Sequence, residues 1–282
     1  MPSADLEARI AAALGIPVNS LQPMGGGCVA DVRRGQLGDG RDIVVKWGGR
    51  SLALESRMLE RLRKAGMPVP EVYHAEDDML VMSWIEHGGP IDRDAEEHAA
   101  DLIAHLHNQT AARFGYEEDT VIGGLHQPNP ETTSWLDFFR DHRLLYMANE
   151  ALLAGRLSGE TYDRIETLAG RLDNWIDGDI KPSLIHGDLW GGNVLALPGR
   201  IVGLVDPAIY YADAEIELAF STLFNTFGER FFSRYEEYRP LAPGFFKERC
   251  ELYNLYPLLV HVRLFGGSYA NTVAGTLSRF GC

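Results

Sequence analysis

Cysteine is scarce in this chain: Cys28, Cys250 and Cys282 are the only three in 282 residues, far apart and without a Cys-x-x-Cys pair. That excludes a disulfide framework and a thiolate zinc site. Long apolar runs are missing too, since no uninterrupted stretch approaches the roughly 20 residues of a membrane-spanning helix. Asp5 and Glu7 precede any apolar run at the N-terminus, which is not the pattern of a secretory leader, and a cytoplasmic location is the resulting expectation. Positive charge is short as well: 26 Lys and Arg face 40 Asp and Glu, a net charge of −14. The shortfall is uneven, 10 basic against 11 acidic residues in 1–84 and 16 against 29 in 85–282. A phosphate backbone would meet repulsion over most of such a surface, so nucleic-acid binding is disfavoured. The acidity serves solubility or attracts a cationic ligand, and composition leaves both open.

What is present is a hydrophobic content of 45%, enough for one large or two modest packed domains. Residues 16–47 read as strands, with Asp39-Gly40 as a hairpin turn joining Val32–Leu37 to Ile43–Trp47. Ser51 is placed to cap a helix with apolar positions Leu54, Met58, Leu62 and Ala65, which Gly66 and Pro68 stop. Met79–Ile85 returns as a strand into Gly88-Gly89-Pro90, a hinge. Helical spacing then dominates: Ala95–Asn108, Ser134–Ala154, Gly159–Ile176, Glu215–Phe227 and Pro243–Leu264. Residues 1–86 are therefore expected to form a small β-rich lobe with one helix, and 87–282 a larger, mostly helical one.

One functional hairpin interrupts the helical part. Residues 186–206 read HGDLWGGNVLALPGRIVGLVD, with strands Val194–Leu197 and Ile201–Val205 about the turn residues Pro198-Gly199. Asn193 and Asp206 lie symmetrically about the Gly199–Arg200 bond, which predicts them side by side at the hairpin's open end, sharing a Mg²⁺ site. Asp188, five positions before Asn193, is placed to accept the proton of an acceptor hydroxyl. Singly, Asp188 and Asn193 read as turn residues; jointly with Asp206 they supply what phosphoryl transfer needs, positioning and charge neutralisation. The spacing follows H-R-D-x-x-x-x-N, with Gly187 for the Arg and Asp-Pro for Asp-Phe-Gly, a departure that points away from protein kinases.

Gly25-Gly26-Gly27 between strands would let backbone amides approach anionic oxygens. Lys46 ends a strand and is followed nine positions later by Glu55 on the helix; in a kinase-like lobe this pair holds the α- and β-phosphates, with Glu60 as the competing carboxylate. His186 is read as fixing the loop rather than as an acid or base. Cys28, next to the glycines, is either an inert buried thiol or one whose modification blocks nucleotide binding. Asp213 is placed to cap the helix beginning near Glu215, while Glu215 or Glu217 is a candidate for holding an acceptor amine. His105 and His107, two apart on a helix, diverge and form no metal pair.

An HGD loop resembles those of small-molecule kinases that share the protein-kinase fold, such as aminoglycoside and choline phosphotransferases. HGDLWGGN, with DPAIYYADAEIELAF after it, LFGGSY near the end and FGYEEDTVIGGLHQPNPETTSWLDFFRDHRL at Phe114–Leu144, resembles the fructosamine kinase (ketosamine-3-kinase) family over most of the chain. The resemblance implies an α+β, bilobal protein-kinase-like fold with the nucleotide between the lobes, ATP and Mg²⁺ as cofactors, and backbone contact with adenine at Met82–Glu86, including Trp84. It also implies a ketosamine 3-hydroxyl as acceptor, free or on a protein lysine, and decomposition of the phosphate ester with release of the amine, a repair of glycated molecules. Trp190 is either a core residue or a platform for a sugar ring, and the resemblance sets it beside the acceptor. The competing readings are transfer to an aminoglycoside, choline or another sugar, and a nucleotide-binding regulator without turnover.

Overall fold

Strand periodicity in the first 85 residues and helical periodicity after them produce an α+β architecture. A computed structural model describes residues 3–25, 30–176 and 179–282. The first elements are α1 (Ser3–Leu14), β1 (Val18–Met24), β2 (Asp31–Leu37), β3 (Asp42–Trp47), α2 (Leu52–Lys64), β4 (Val72–Glu76) and β5 (Met79–Ser83). Next come α3 (Arg93–His107), β6 (Thr120–Ile122), β7 (Leu125–Gln127), α4 (Trp135–Phe139), α5 (Leu145–Leu153) and α6 (Gly159–Ala169). The chain continues with β8 (Ser183–Ile185), β9 (Val194–Leu197), β10 (Arg200–Leu204), β11 (Tyr210–Ala212), α7 (Ala214–Leu223), α8 (Glu229–Tyr238), α9 (Cys250–Phe265) and α10 (Ser268–Arg279). Two compact units result, one of residues 1–95 and 192–207, the other of 96–191 and 208–282.

The first unit is built on an antiparallel sheet of order β1-β2-β3-β5-β4. The two-residue period of β3 divides its side chains. Ile43 and Val45 join Leu6 and Ile10 of α1 in one buried cluster, while Val44 packs with Leu52 and Leu59 of α2 in another. Lys46, two residues after Val44, is therefore on the α2 side. The hairpin of β9 and β10 belongs to this unit as well, although the sequence reading put it in 87–282. Backbone bonds hold it there: Leu204 N–H donates to Pro68 O at 2.7 Å, and Gly88 and Gly89 N–H both donate to Ala196 O.

Two expectations for α2 need correction. Ser51 adopts φ 67° and its side chain makes no capping bond, because a left-handed residue does not present its hydroxyl as an N-cap does. The buried stripe is Leu52, Met58, Leu59 and Leu62 rather than one through Leu54. Glu55 lies within that stripe at helical spacing.

In the second unit α9 is buried on nearly every side, from Leu252 to Val260, so it reads as the core helix of the unit. The stretch expected as one helix over Ser134–Ala154 is α4 and α5 joined by a π turn at Arg140–Leu144, with Ser134 Oγ accepting from Asp137 N–H. β8 pairs antiparallel with β11, Ile185 opposite Tyr210. This short ladder carries the chain into the HGD loop.

Candidate active site

In the first unit three predicted residues come together. Lys46 Nζ donates to Glu55 Oε1 at 2.6 Å and also to Asp206 Oδ1. The Lys46 side chain is only 12% exposed while that of Asp206 is 49% exposed. Burial works to lower the Lys46 pKa, but the adjacent Glu55 and Asp206 carboxylates overcome it and hold the ammonium above its ordinary range. Burial pushes the Glu55 carboxyl up, against the opposing pull of Lys46. A permanently charged ammonium thus sits between a buried carboxylate and a half-exposed one.

The hairpin brings Asn193 and Asp206 to its open end, with a register that differs from the expected one. Leu197 faces Arg200 and Ile201 faces Ala196, so the turn is Pro198-Gly199. A shift between Ile201 and Gly203 then inserts one residue, a bulge, and Val205 N–H donates to Asn193 O. Asn193 is therefore opposite Val205, and Asp206 follows one step on with φ 54°. Such a conformation is uncommon for a non-glycine residue and turns the chain out of the strand.

The HGD loop lies in the second unit. Gly187 has φ 85°, and a Cβ there would stand 2.1 Å from Ala208 O, so only glycine fits. Gly187 N–H donates to Glu217 Oε1 at 2.7 Å, Ala208 N–H to His186 O at 2.8 Å, and Asp188 N–H to His186 Nδ1 at 3.3 Å. His186 is fully buried, and its carbonyl and Nδ1 accept the last two of these bonds within the second unit. Glu217 Oε2 meets His107 Nε2 at 2.8 Å, and His107 Nδ1 meets Tyr235 OH at 2.8 Å. Burial acts to raise the Glu217 pKa, but bonds from His107 and Gly187 outweigh it and lower it; burial lowers that of His107. A neutral His107 donating to a Glu217 carboxylate satisfies both groups.

This relay is what sequence reasoning missed. A usable signal existed: His107 falls four residues after Ile103 and eight after Ala99, on the apolar stripe of α3. The acceptor-amine role considered for Glu215 or Glu217 does not fit their burial. Glu217 holds the loop, and Glu215 is paired with Arg249 at 2.6 and 3.0 Å. Asp213 caps α7 as expected, accepting from Glu215 N–H at 3.0 Å and from Tyr253 OH at 2.7 Å. Burial, reinforced by Glu215, pushes its carboxyl up to about 6. His105 is exposed and His107 buried, so the two do diverge.

Trp190 is 40% exposed, its ring 5.8 Å from that of Phe224. Met82 is buried in the cluster with Leu52, Leu59 and Leu80, and Trp84 N–H donates to Asp42 O at 3.0 Å with Arg34 above its ring. Gly25 is exposed and a Cβ on it would meet nothing within 4 Å. Gly26, Gly27 and Cys28 lie outside the described residues.

A five-stranded antiparallel sheet with a lysine held by a helix carboxylate, and a helical unit carrying an HGD loop, are features of the protein-kinase-like phosphotransferases. A family model described as fructosamine kinase matches residues 5–280, and the chain belongs to that family. It is 36% identical over 226 residues to a candidate ketoamine kinase of Synechocystis, a match covering 78% of this chain and 73% of the relative. It is 27% identical over 279 residues to the chloroplastic protein-ribulosamine 3-kinase of Arabidopsis thaliana, covering 93% and 83%. The crystal structure of a candidate fructosamine-3-kinase from Thermobifida fusca superposes with a TM-score of 0.89 at 31% identity, covering 98% of both chains. Aminoglycoside phosphotransferases, at 15–18% identity and TM-scores of 0.63–0.69, share the fold. The chain is accordingly a kinase that transfers a phosphoryl group to an alcohol.

Proposed function

We propose that this kinase uses ATP and Mg²⁺ to phosphorylate the 3-hydroxyl of ketosamines, free or on protein lysines, in a deglycation repair that operates in the cytoplasm. The observation that carries the reading is the Lys46 ammonium bonded to both Glu55 and Asp206. Its fixed charge is suited to the α- and β-phosphates, with Glu55 holding it in place. Gly25, where a Cβ would find open space, suits close approach of backbone to phosphate, and Gly26, Gly27 and Cys28 continue that stretch. Backbone at Met82–Glu86, with Trp84, takes adenine.

Asn193 and Asp206 would hold the metal. Both offer oxygen, and Mg²⁺ is ordinarily held by one or two carboxylates together with substrate phosphates, so the donor set fits. When bound, the ion neutralises charge on the phosphoryl oxygens. Asp188 orients the acceptor hydroxyl and takes its proton, on a loop braced by His186 and by the Gly187–Glu217 bond. Trp190 presents an exposed ring face, two residues from Asp188, to the sugar. Nucleotide handling thus falls to the first unit and the base and acceptor contacts to the second. The name of the Arabidopsis relative, a protein-ribulosamine 3-kinase, supports a ketosamine acceptor, and the absence of a membrane-crossing helix among the described residues is compatible with the location.

The test is ADP formation with Mg²⁺ and ATP against fructosyl-lysine, ribulosyl-lysine, an aminoglycoside, choline and no acceptor. Turnover with the ketosamines alone is expected, and Asp188→Ala should abolish it while ATP still binds. Turnover with another acceptor would move the substrate. ATP binding without any turnover would favour a regulator.

A further inference from the structure

Beside the N-terminal end of α7 the second unit carries an open cavity of about 440 Å³, within the usual range of small-molecule sites. Its charges are unevenly matched. Arg249 is taken by Glu215 in two bonds of 2.6 and 3.0 Å, and the Asp213 carboxylate is taken by Tyr253 OH and Glu215 N–H. That leaves Lys181 and Arg239. The Arg239 guanidinium bonds neutral oxygens, His107 O at 2.8 Å, Asn108 Oδ1 at 2.9 Å, Ser183 Oγ at 3.1 Å and the Tyr235 hydroxyl. Lys181 is exposed at the rim. Among the described residues neither cation pairs with a carboxylate, in a chain of net charge −14. Ile180 and Leu218 add apolar wall.

We propose that this cavity binds a small phosphate monoester with an apolar body, Lys181 and Arg239 meeting the dianion. Two cations on one cavity wall suit a dianion better than a carboxylate. Its occupancy is tied to the HGD loop through the wall. Tyr235 lines the cavity and bonds His107 at 2.8 Å, His107 bonds Glu217 at 2.8 Å, and Glu217 holds Gly187 N–H at 2.7 Å. Arg239 adds a second hold on the His107 carbonyl. An anion that draws Arg239 toward itself alters that relay, so the ligand changes turnover; this last step rests on Asp188 being the base.

The experiment is calorimetric titration of the full chain with phenyl phosphate, benzoate and benzyl alcohol, with and without saturating ADP and Mg²⁺. Phenyl phosphate is expected to bind with a Kd of about 1 mM, unchanged within about twofold by ADP, and more tightly than benzoate. Lys181→Gln, at an exposed position, should weaken it about tenfold. Phenyl phosphate should also change kcat by at least about twofold, and Tyr235→Phe should keep the binding but erase that change. Competition by ADP, equal affinity in Lys181→Gln, equal binding of benzyl alcohol, or no binding up to about 10 mM would overturn the proposal. The binding arms need no turnover, so they stand or fall separately from the ketosamine kinase reading.

Discussion

Glu217 is the side chain whose removal separates holding the loop from merely filling space. Its carboxylate is fully buried and accepts two hydrogen bonds, from Gly187 N–H at 2.7 Å and from His107 at 2.8 Å. A buried donor stripped of its partner costs about 1–3 kcal/mol, and Glu217→Ala strands two donors and opens a void. The expected loss is about 4 kcal/mol, a large share of the roughly 5–15 kcal/mol that stabilises an ordinary domain. Glu217→Gln is different. Its amide oxygen can still accept from Gly187, and its NH₂ can donate to His107 Nε2 if the imidazole proton moves to Nδ1, where Tyr235 OH can accept it. That exchange costs about 1 kcal/mol, the charge-assisted part of the bonds. Urea denaturation of both variants near neutral pH checks the difference, and kcat and KM for ATP check the consequence. Kcat should fall in Glu217→Gln while KM for ATP stays within about twofold, because the nucleotide contacts are assigned elsewhere. Equal stability of the Ala and Gln variants, or a kcat unchanged in both, would refute the argument.

Glu55→Gln should leave stability within about 1 kcal/mol, since burial already disfavours the charged carboxyl, but weaken binding of a fluorescent ATP analogue about tenfold by releasing Lys46 to Asp206; large destabilisation with intact nucleotide affinity would contradict the assigned role. Asp213 gives a pH signature. Its folded pKa of about 6 exceeds the ordinary 3.8, so between those values the native state binds more protons than the unfolded one. The stability it contributes is present below the lower value and lost as pH rises through the upper, by about 3 kcal/mol at most. Asp213→Asn, which can still cap α7, should therefore gain stability relative to the parent as pH rises from about 4 to about 6 and hold that gain above it, measured by urea midpoints; parallel pH profiles for the two proteins would count against a raised Asp213.

How much of this was legible in the sequence depended on how far away each residue's partner lies. Lys46 and Glu55 are nine residues apart, and strand period plus helix order were enough to pair them. Even so, the stripe drawn through Leu54 leaves Glu55 off the apolar face of α2, whereas the buried stripe through Leu52, Met58, Leu59 and Leu62 includes its position; an ionisable residue defaults to solvent unless its partner is known. The Asn193–Asp206 hairpin was readable from its turn residues, whereas the bulge before Gly203 was not; a one-residue insertion leaves little mark on the local pattern and is fixed by what the strand packs against. α1, α8 and α10 went unread. α8 is rich in Phe and Tyr, residues of modest helix propensity, so its helix depends on burying Phe231 and Tyr235. Glu217 is the limiting case: its two partners are 110 and 30 residues away, and on α7 alone its acidic side chain looks no different from any solvent-facing one. Burial made it a neighbour of both, and a carboxylate that cannot reach water has to be satisfied by whatever donors the fold brings to it. The backbone of the HGD loop is one of them, which makes the geometry around Asp188 depend on a pairing that no local pattern in the chain encodes.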